Sequence, residues 1–304
     1  MRKILFPRAE PHEYVAAWGA RLALALFGAL PLDRASALGG WIARKIGPHL
    51  GTHKIAARNL AHAMPELTSD QQQVVLNGMW DNLGRVVAEY AHLGELDIAI
   101  PGQPSEKTGH VEVVGIEHVQ AIRDSGKPAM FFSAHYGNWE LNGLAAQHLG
   151  MHMLLVYRAA NNPLTEEILQ GLRTSLGGRH VPKGIKAARE ILAMLKSNEH
   201  VAMLVDQKLS NGIAVPFFGR DAMTTPALAE FALRMNCPMV PAYVERLSGT
   251  HFRLTIEPPM QVEKTGDHSR DVYNAMLQVN RKIEGWIRAR PDHWFWVHRR
   301  WPKE

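Results

Sequence analysis

From His110 onward, short apolar runs alternate with longer segments in which apolar residues recur at every third or fourth position. In the clearest example, the apolar run Met130–Ser133 has the length of a strand, and turn residues separate it from a helical segment over 139–148. Strands that alternate with helices are typical of an α/β fold with a largely parallel sheet flanked by helices. Segments 239–246 and 251–257 flank a Ser-Gly pair and predict an antiparallel hairpin, which makes the sheet mixed.

The residues before His110 have a different pattern. Segments 33–46, 53–63 and 69–92 carry apolar residues at three- and four-residue spacing and predict helices. Segment 100–109 is rich in proline and glycine and predicts a loop. The sequence therefore predicts three parts: an N-terminal segment over 1–32, a helical region over 33–109 that packs on the core, and an α/β core over 110–304.

The N-terminal segment contains 19 residues, 14–32, with Arg21 as their one charge. About 20 apolar residues span a bilayer, so this length is marginal. We expect a membrane anchor, spanning or shallow; a buried helix of the core and a cleaved signal peptide are the alternatives. Basic residues are more frequent after the segment than before it, which favours the cytoplasmic side for the rest of the chain.

Composition limits the partners of this chain. The net charge is +5 and 46% of the 304 residues are apolar, which is ample for a sizeable core. A basic surface favours anionic partners such as a phospholipid surface, a phosphorylated glycolipid or an acidic carrier protein; no long basic run supports nucleic acid. The single Cys237 excludes an internal disulfide framework, is consistent with a reducing compartment and is expected to be a small buried residue.

His135 and Glu140 are the leading candidates for acid–base chemistry. Residues five apart on one continuous helix point about 140° away from each other, so we expect His135 in the loop before the helix. Gly137 allows a bend there that returns the ring to Glu140. A neutral imidazole can then take a proton from a hydroxyl while the carboxylate fixes its tautomer. The simpler alternative is an ordinary strand–helix connection, since this spacing is short and common.

Polar residues follow three of the predicted strands. His135, Arg158 and Asp206 each stand at a strand end, where ligands bind in parallel sheets, so we expect them to share a cleft. Arg158 suits a phosphate or a carboxylate, or is a surface residue or a structural partner of Asp206. Asp206 either orients His135, supports Arg158 or caps an element. Asn138 can donate to a substrate oxygen, or is simply a turn residue.

The C-terminal segment is rich in tryptophan and arginine, between Trp286 and Trp301. Such a mixture suits a membrane interface, but large aromatic rings are also ordinary core residues. The histidines of the chain are scattered, and no set of them has the spacing of metal ligands, so we expect no metal site.

The stretch from His135 to Glu140 resembles the His-x4-Glu motif of glycerolipid-type acyltransferases. Its form is that of the late acyltransferases of bacterial lipid A biosynthesis, the lauroyl and myristoyl type. Further blocks follow in the family's order: Tyr157-Arg158 with Asn161-Asn162-Pro163, Val205-Asp206-Gln207 with Val215 to Gly219, Thr224 to Ala227, and Trp294 to Trp301. Each block alone is weak, and together they cover nearly the whole chain from about residue 10.

The resemblance implies a glycerolipid acyltransferase-like fold and transfer of a fatty acyl chain from acyl carrier protein to a hydroxyl of a lipid A precursor. It implies His135 as the general base and Glu140 as the group that orients it, at the cytoplasmic side of the cell inner membrane. Backbone donors near Gly137, with Arg158, would bind the oxyanion or an acceptor phosphate. A thioester is already activated, so neither a cofactor nor an acyl-enzyme is expected.

Three alternatives to that function stay open. The acceptor can be another lipid, such as a phospholipid, an aminolipid or a phosphoinositide glycolipid. A non-catalytic lipid-binding protein would keep the fold without the chemistry. A thioesterase would use water in place of the acceptor.

Overall fold

A computed structural model describes residues 10–100, 109–174 and 178–302 of the chain. The helices are α1 Pro11–Gly28, α2 Leu32–Ile46, α3 Gly51–Ala63, α4 Ser69–Glu89, α5 Ile116–Ser125, α6 Leu141–His148, α7 Pro163–Thr174, α8 Ile185–Lys196, α9 Ala227–Met235 and α10 His268–Ala289. The strands are β1 Ile98–Ala99, β2 Val111–Val114, β3 Met130–Ser133, β4 Met153–Tyr157, β5 Arg179–Pro182, β6 His200–Leu204, β7 Ile213–Phe217, β8 Arg220–Thr224, β9 Met239–Ser248 and β10 His251–Ile256.

The main sheet has eight strands in the order β1-β2-β10-β9-β3-β6-β4-β5. All neighbours in it are parallel except β9 and β10, which form the predicted antiparallel hairpin. β7 and β8 form a separate two-stranded hairpin. The predicted mixed, largely parallel α/β sheet flanked by helices is therefore confirmed.

The central strand β3 explains why the sheet needs helices on both faces. All four of its side chains are buried, as expected of a parallel strand that is covered on each side. Phe132 packs into a core formed with α8, α9 and α10, whereas Phe131 points to the other face, which α5 and α6 cover. This alternation follows from the two-residue period of a strand.

The helical region joins the sheet through α4, and α2 packs closely against α4. At their crossing, a Cβ on Gly39 would lie 2.4 Å from the carbonyl oxygen of Gly84, so a side chain there would push the two helices apart. Thr68 caps the start of α4 and forms a capping box with Gln71. This arrangement fixes the C-terminal end of α4 beside the loop that follows β3.

The N-terminal helix α1 exposes most of its apolar side chains. Trp18 is 67% exposed and Leu22 and Leu26 are each 61% exposed, while Ala17 is the residue of this helix that is buried. The alternative of a buried core helix therefore does not describe α1. Within the ranges that the structure describes, no helix combines the length and the apolar character needed to cross a bilayer.

The C-terminal tryptophans are core residues. Trp294 and Trp296 are fully buried, and their indole nitrogens donate to Asp206 and to the carbonyl oxygen of Pro291. Trp301 also lies in the core and donates to the carbonyl oxygen of Phe217. Of the two interpretations of this segment, the core alternative is confirmed.

The sequence patterns missed the short strands β1, β5, β7 and β8. β5, β7 and β8 each contain a proline or charged residues, and β1 has two residues, so none shows a clean two-residue alternation. The predicted loop over 100–109 lies mostly outside the described residues.

Candidate active site

His135 lies in the loop 134–140, which connects β3 to α6. Gly137 gives this loop its turn: it has a φ of +57°, and a Cβ there would lie 1.8 Å from the carbonyl oxygen of Val244. A side chain at this position would be excluded by both the backbone conformation and the neighbouring strand. The predicted placement of His135 outside the helix is therefore confirmed.

The partner of the His135 ring is Asp206. The ring Nδ1 lies 2.8 Å from Oδ1 of Asp206, and the backbone N–H of His135 donates to Oδ2 at 2.9 Å. The sheet explains the pairing, because β3 and β6 are parallel neighbours with Ser133 opposite Leu204. The residues that follow these two strands are thereby brought side by side.

Asp206 is fully buried and has three donors. The indole N–H of Trp294 donates to Oδ2 at 2.8 Å, in addition to the two contacts with His135. Burial alone would raise the pKa of Asp206, but the charge and the hydrogen bonds of His135 outweigh burial and hold the pKa far below its ordinary value. Because this carboxylate stays charged, it accepts a hydrogen bond from the ring and favours the imidazole tautomer that carries its proton on Nδ1.

This arrangement directs the second ring nitrogen of His135 away from Asp206. With the proton on Nδ1, Nε2 carries a lone pair, and the amide nitrogen of Gln207 lies 3.2 Å from it. The His135 side chain is 15% exposed and lines a large cavity. A hydroxyl that displaces the Gln207 amide would meet a base whose tautomer is already fixed.

Glu140 occupies a different environment from the one we expected. Its carboxylate accepts hydrogen bonds from Tyr90 at 2.5 Å, from the Trp139 indole at 3.1 Å and from Arg173 at 3.2 Å. Among the described residues no hydrogen bond joins it to His135. The expected orienting contact is thus replaced by that of Asp206, because the turn over 136–139 directs Glu140 toward Tyr90, which follows α4, and toward Arg173 of α7.

Arg173 and Tyr90 complete the cluster around Glu140. Burial raises the pKa of Tyr90 well above its ordinary value, and the negative charge of Glu140 raises it further, so the phenol keeps its proton and donates. Arg173 also lies over the ring of Tyr157, 4.7 Å from the ring centroid. Through its contact with Arg173, Glu140 therefore holds α7, which lines the cavity, in place.

The cavity has a volume of about 770 Å³ and two unlike ends. One end lies on the face of the sheet that α5 and α6 cover, and its apolar lining includes Phe131, Leu149, Met151, Leu254 and Ile256. A pocket of this size, apolar at its end, is typical of sites for small organic ligands. An apolar lining of this kind suits a hydrocarbon chain.

The other end of the cavity is cationic. Arg158, Lys183 and Lys208 line it, and each follows one of the neighbouring parallel strands β4, β5 and β6. Arg158 donates to Asn161 at 3.1 Å, and in the described part of the chain no carboxylate pairs with any of these three cations. The pKa of Lys183 is lowered, first by burial and then by the charge of Arg158. This end of the cavity favours an anionic group.

The carboxyl ends of the strands thus meet as predicted, but the partners differ from some of our expectations. His135 and Arg158 line one cavity, and Asp206 lies behind His135. Arg158 is not the partner of Asp206. Of the alternatives for these residues, the structure selects the orienting one for Asp206 and a cavity position for Arg158.

Asn138 and Gly137, which we expected to bind substrate, are not among the residues that line the cavity. Asn138 is fully buried and its amide donates to Glu89 at 2.8 Å. The N–H of Gly137 donates to the carbonyl oxygen of His293 at 3.0 Å, so it is not available to an oxyanion. Both residues hold the loop rather than a ligand, because its turn brings them against α4 and the C-terminal segment.

Several residues of the site carried no sequence signal that we could interpret. Tyr90 directly follows α4, Arg173 lies on α7 and Lys183 follows β5. Only the folded chain brings Arg173 and Lys183 to the cavity and Tyr90 to Glu140. Gln207 and Trp294 stood within the family-like blocks, but their contacts with His135 and Asp206 could not be read from spacing.

Comparisons with known proteins agree with this architecture. The family model described as bacterial lipid A biosynthesis acyltransferase matches residues 7–303. The chain is 24% identical over 304 residues to the lipid A biosynthesis palmitoleoyltransferase of Escherichia coli strain K12, covering 98% of this chain and 93% of the relative. It is 24% identical to the lipid A biosynthesis myristoyltransferase of the same organism, with 92% and 85% covered. It is 23% identical to the phosphatidylinositol mannoside acyltransferase of Mycolicibacterium smegmatis, with 95% and 90% covered.

Proposed function

Since the chain belongs to the family of bacterial lipid A biosynthesis acyltransferases, we propose that it transfers a fatty acyl chain from acyl carrier protein to a hydroxyl of a lipid A precursor. The observation that carries the proposal is the His135–Asp206 pair, whose imidazole lines a cavity with one apolar and one cationic end. Such a site suits two substrates, one that carries a long hydrocarbon chain and one that carries a charged headgroup.

In the proposed reaction, Nε2 of His135 takes the proton of the acceptor hydroxyl, and the oxygen attacks the thioester carbonyl. The charged Asp206 stabilises the imidazolium that forms and keeps the ring in place. The carbon–sulfur bond then breaks, and the leaving thiolate takes the proton from Nε2. An ester and a free thiol result, with His135 neutral again and no acyl-enzyme formed.

The two ends of the cavity give each substrate a place. The acyl chain lies in the apolar end, where each methylene removed from water contributes about 0.8 kcal/mol. The phosphate of the acceptor lies at Arg158, Lys183 and Lys208. This arrangement leaves the thioester carbonyl and the acceptor hydroxyl to meet at His135.

A phosphoinositide glycolipid is the second candidate acceptor. The similarity to a phosphatidylinositol mannoside acyltransferase supports it, since that relative is matched over nearly the same share of this chain. Its phosphate would suit the same cationic end of the cavity. Mass spectrometry of lipids from a strain that lacks the protein separates the two, because a different lipid loses one acyl chain in each case.

We place the protein at the inner membrane, with the cavity on the cytoplasmic side. The exposed stripe Trp18, Leu22 and Leu26 suits a helix that lies in the plane of the interface. This helix is close to the cavity, because Asn162 at the start of α7 donates to the backbone oxygen of Glu13 at 2.9 Å, and α7 lines the cavity. An acceptor lipid would therefore have a short path from the bilayer.

Replacing Trp18, Leu22 and Leu26 together by Glu is expected to move the protein from the membrane fraction to the soluble fraction, since charged side chains do not enter the acyl layer. Val74→Glu is the control, because Val74 is 71% exposed and lies on a different helix, α4. Retention of the triple variant in membranes would remove the proposed anchor.

The test of the chemistry is His135→Ala. Loss of a general base typically lowers turnover by about 10²–10⁴-fold. Circular dichroism checks that the fold is retained, since the buried Asp206 keeps its donors from Trp294 and from the backbone of residue 135. The measurement is transfer of a labelled acyl chain from acyl carrier protein to a lipid A precursor in detergent. His148→Ala serves as a control, since His148 is exposed on α6 and bonds only to its own helix among the described residues. Wild-type turnover in His135→Ala would rule out the mechanism.

A further inference from the structure

A buried ion pair lies next to the loop that carries His135. Glu89, the last residue of α4, is fully buried, and Arg246 of β9 is 7% exposed. The two groups meet in a bidentate pair, with Nη1 of Arg246 2.5 Å from Oε1 and Nη2 2.9 Å from Oε2. Ser36 donates to the same carboxylate at 2.7 Å. The proposed acyl transfer gives this pair no role.

Both members of the pair are connected to the His135 loop. Glu89 accepts from the amide of Asn138 at 2.8 Å. Arg246 donates through Nε to Asn82 at 3.1 Å, and the amide of Asn82 donates to the carbonyl oxygen of Gly137 at 3.0 Å. Two consecutive residues of the loop are therefore bound from the side of α4.

The other side of the loop is bound by the core. The N–H of His135 donates to Asp206, and its carbonyl oxygen accepts from the N–H of Phe295 at 3.0 Å. The position of the ring thus depends on two sets of contacts, one from the α/β core and one from the helical region. A displacement of either set moves the imidazole relative to the cavity.

Stability alone does not explain a buried ion pair. Apolar side chains of similar volume generally stabilise a fold as well as such a pair does, because burying two charges removes their hydration. What the pair adds is a set of directional acceptors and donors for Asn138 and Asn82. These contacts are suited to fixing a loop rather than to filling a core.

Resting on the proposed acyl transfer, we propose that Glu89 and Arg246 are positioning residues that hold the His135 loop in its reactive place through Asn138 and Asn82. Misplacement of a reacting group by about 1 Å can cost about 10²-fold in rate. The helical region before the α/β core is then part of the catalytic apparatus, although none of these four residues lines the cavity.

The test replaces the pair by apolar residues, Glu89→Leu with Arg246→Met, which leaves no buried charge without a partner. We expect kcat to fall by about 10–100-fold with KM for the acyl donor unchanged. The midpoint of thermal unfolding should fall, because Ser36, Asn82 and Asn138 each lose a buried hydrogen-bond partner, so the kinetics are measured well below it. The split between kcat and KM, in a fully folded protein, distinguishes positioning from a general loss of structure.

A second variant covers the case in which the double replacement does not fold. Asn138→Ala removes the amide that joins Glu89 to the loop and leaves the ion pair intact, so it should give the same loss of kcat. The control is Thr250→Val, because Thr250 donates to Asp33 at 2.5 Å and so joins the β9–β10 turn to α2 without touching the loop. It should lower the unfolding midpoint and leave kcat unchanged.

The outcomes separate the two proposals. A folded double variant, or Asn138→Ala, with the kcat of the wild-type protein would overturn the positioning role and leave the proposed function standing. A wild-type protein that transfers no acyl chain from acyl carrier protein would instead remove the proposed function.

Discussion

Asp206, which is fully buried, and Glu140, which is largely buried, lie on two sides of the His135 loop, and their partners differ. Asp206 accepts from the ring and the backbone of His135 and from the Trp294 indole. Glu140 accepts from the guanidinium of Arg173 and from the phenol of Tyr90. The hydrogen-bond partners of Asp206 are neutral or titratable, whereas Glu140 is bonded to a permanent cation.

This difference in partners gives the two carboxylates different roles. Because Arg173 already neutralises Glu140, that carboxylate adds little field at a ring it does not touch. The hydrogen-bond partners of Asp206 include no such cation, and although the charge of the buried Arg300 also acts on it, the carboxylate contacts the proton of His135 Nδ1 directly. Closeness in sequence to the histidine is thus less informative than a place on the neighbouring strand.

Asp206→Asn is expected to have an effect as large as loss of the base itself. The amide can donate to Nδ1 of His135 and select the wrong tautomer, for which a loss of about 10⁴-fold in kcat is expected. The measurement is steady-state acyl transfer, with circular dichroism to show that the fold is kept. If the variant kept turnover within a few fold of wild type, the His135 ring would need no buried acid. The different roles given to Asp206 and Glu140 would then be wrong.

The same variant also changes the response to acid. Since the pKa of Asp206 is held below its ordinary value of 3.8, the folded protein keeps this carboxylate charged where the unfolded chain takes up a proton. Its contribution to stability is complete above that value and is lost as the pH falls below it. We therefore expect the unfolding midpoint of Asp206→Asn to fall less steeply below about pH 4 than that of the wild-type protein. This prediction would be wrong if the unfolding midpoints of the two proteins fell equally steeply with pH.

Much of the fold could be predicted because its signals are local. The buried run Met130–Ser133 and the helix Ile185–Lys196 lie where their apolar periods placed them. The hairpin β9–β10 followed from two alternating segments around Ser248 and Gly249. β7 and β8 were missed because Pro216 and Arg220 interrupt the pattern by which a strand is recognised.

The site was predicted in part, for a physical reason. The sequence pattern predicted that His135, Arg158 and Asp206 each follow a strand. No local pattern, however, predicts the order of the strands in the sheet. β6 lies next to β3, although β4 and β5 come between them along the chain. The partner of His135 therefore follows from topology. The contacts of Glu140 with Tyr90 and Arg173 depend on how α4 and α7 pack, which spacing does not reveal.

Glu140→Gln should have a smaller effect than Asp206→Asn. It weakens charge-assisted hydrogen bonds, at a cost of about 1–3 kcal/mol in the free energy of unfolding, and leaves Arg173 without its anion. We expect a loss of activity of about tenfold through the displaced cavity wall, with the pH dependence of kcat unchanged. Kinetics and thermal unfolding measured together check this. If Glu140→Gln lost as much activity as Asp206→Asn, the two carboxylates would be equally important for the reaction, and the difference proposed between them would be wrong.

Removing one neutral donor from each carboxylate gives the smallest effects and the finest comparison. Tyr90→Phe keeps the ring and deletes the donor to Glu140, which Arg173 still holds, so activity should stay near wild type. Trp294→Phe deletes the donor to Asp206 and should lower kcat by about tenfold, since a charge-assisted hydrogen bond contributes about 1.5–3 kcal/mol. Because the tryptophan also fills the core, both variants are compared at temperatures where each is fully folded. If Tyr90→Phe lost more activity than Trp294→Phe, Glu140 rather than Asp206 would be the acid on which the reaction depends.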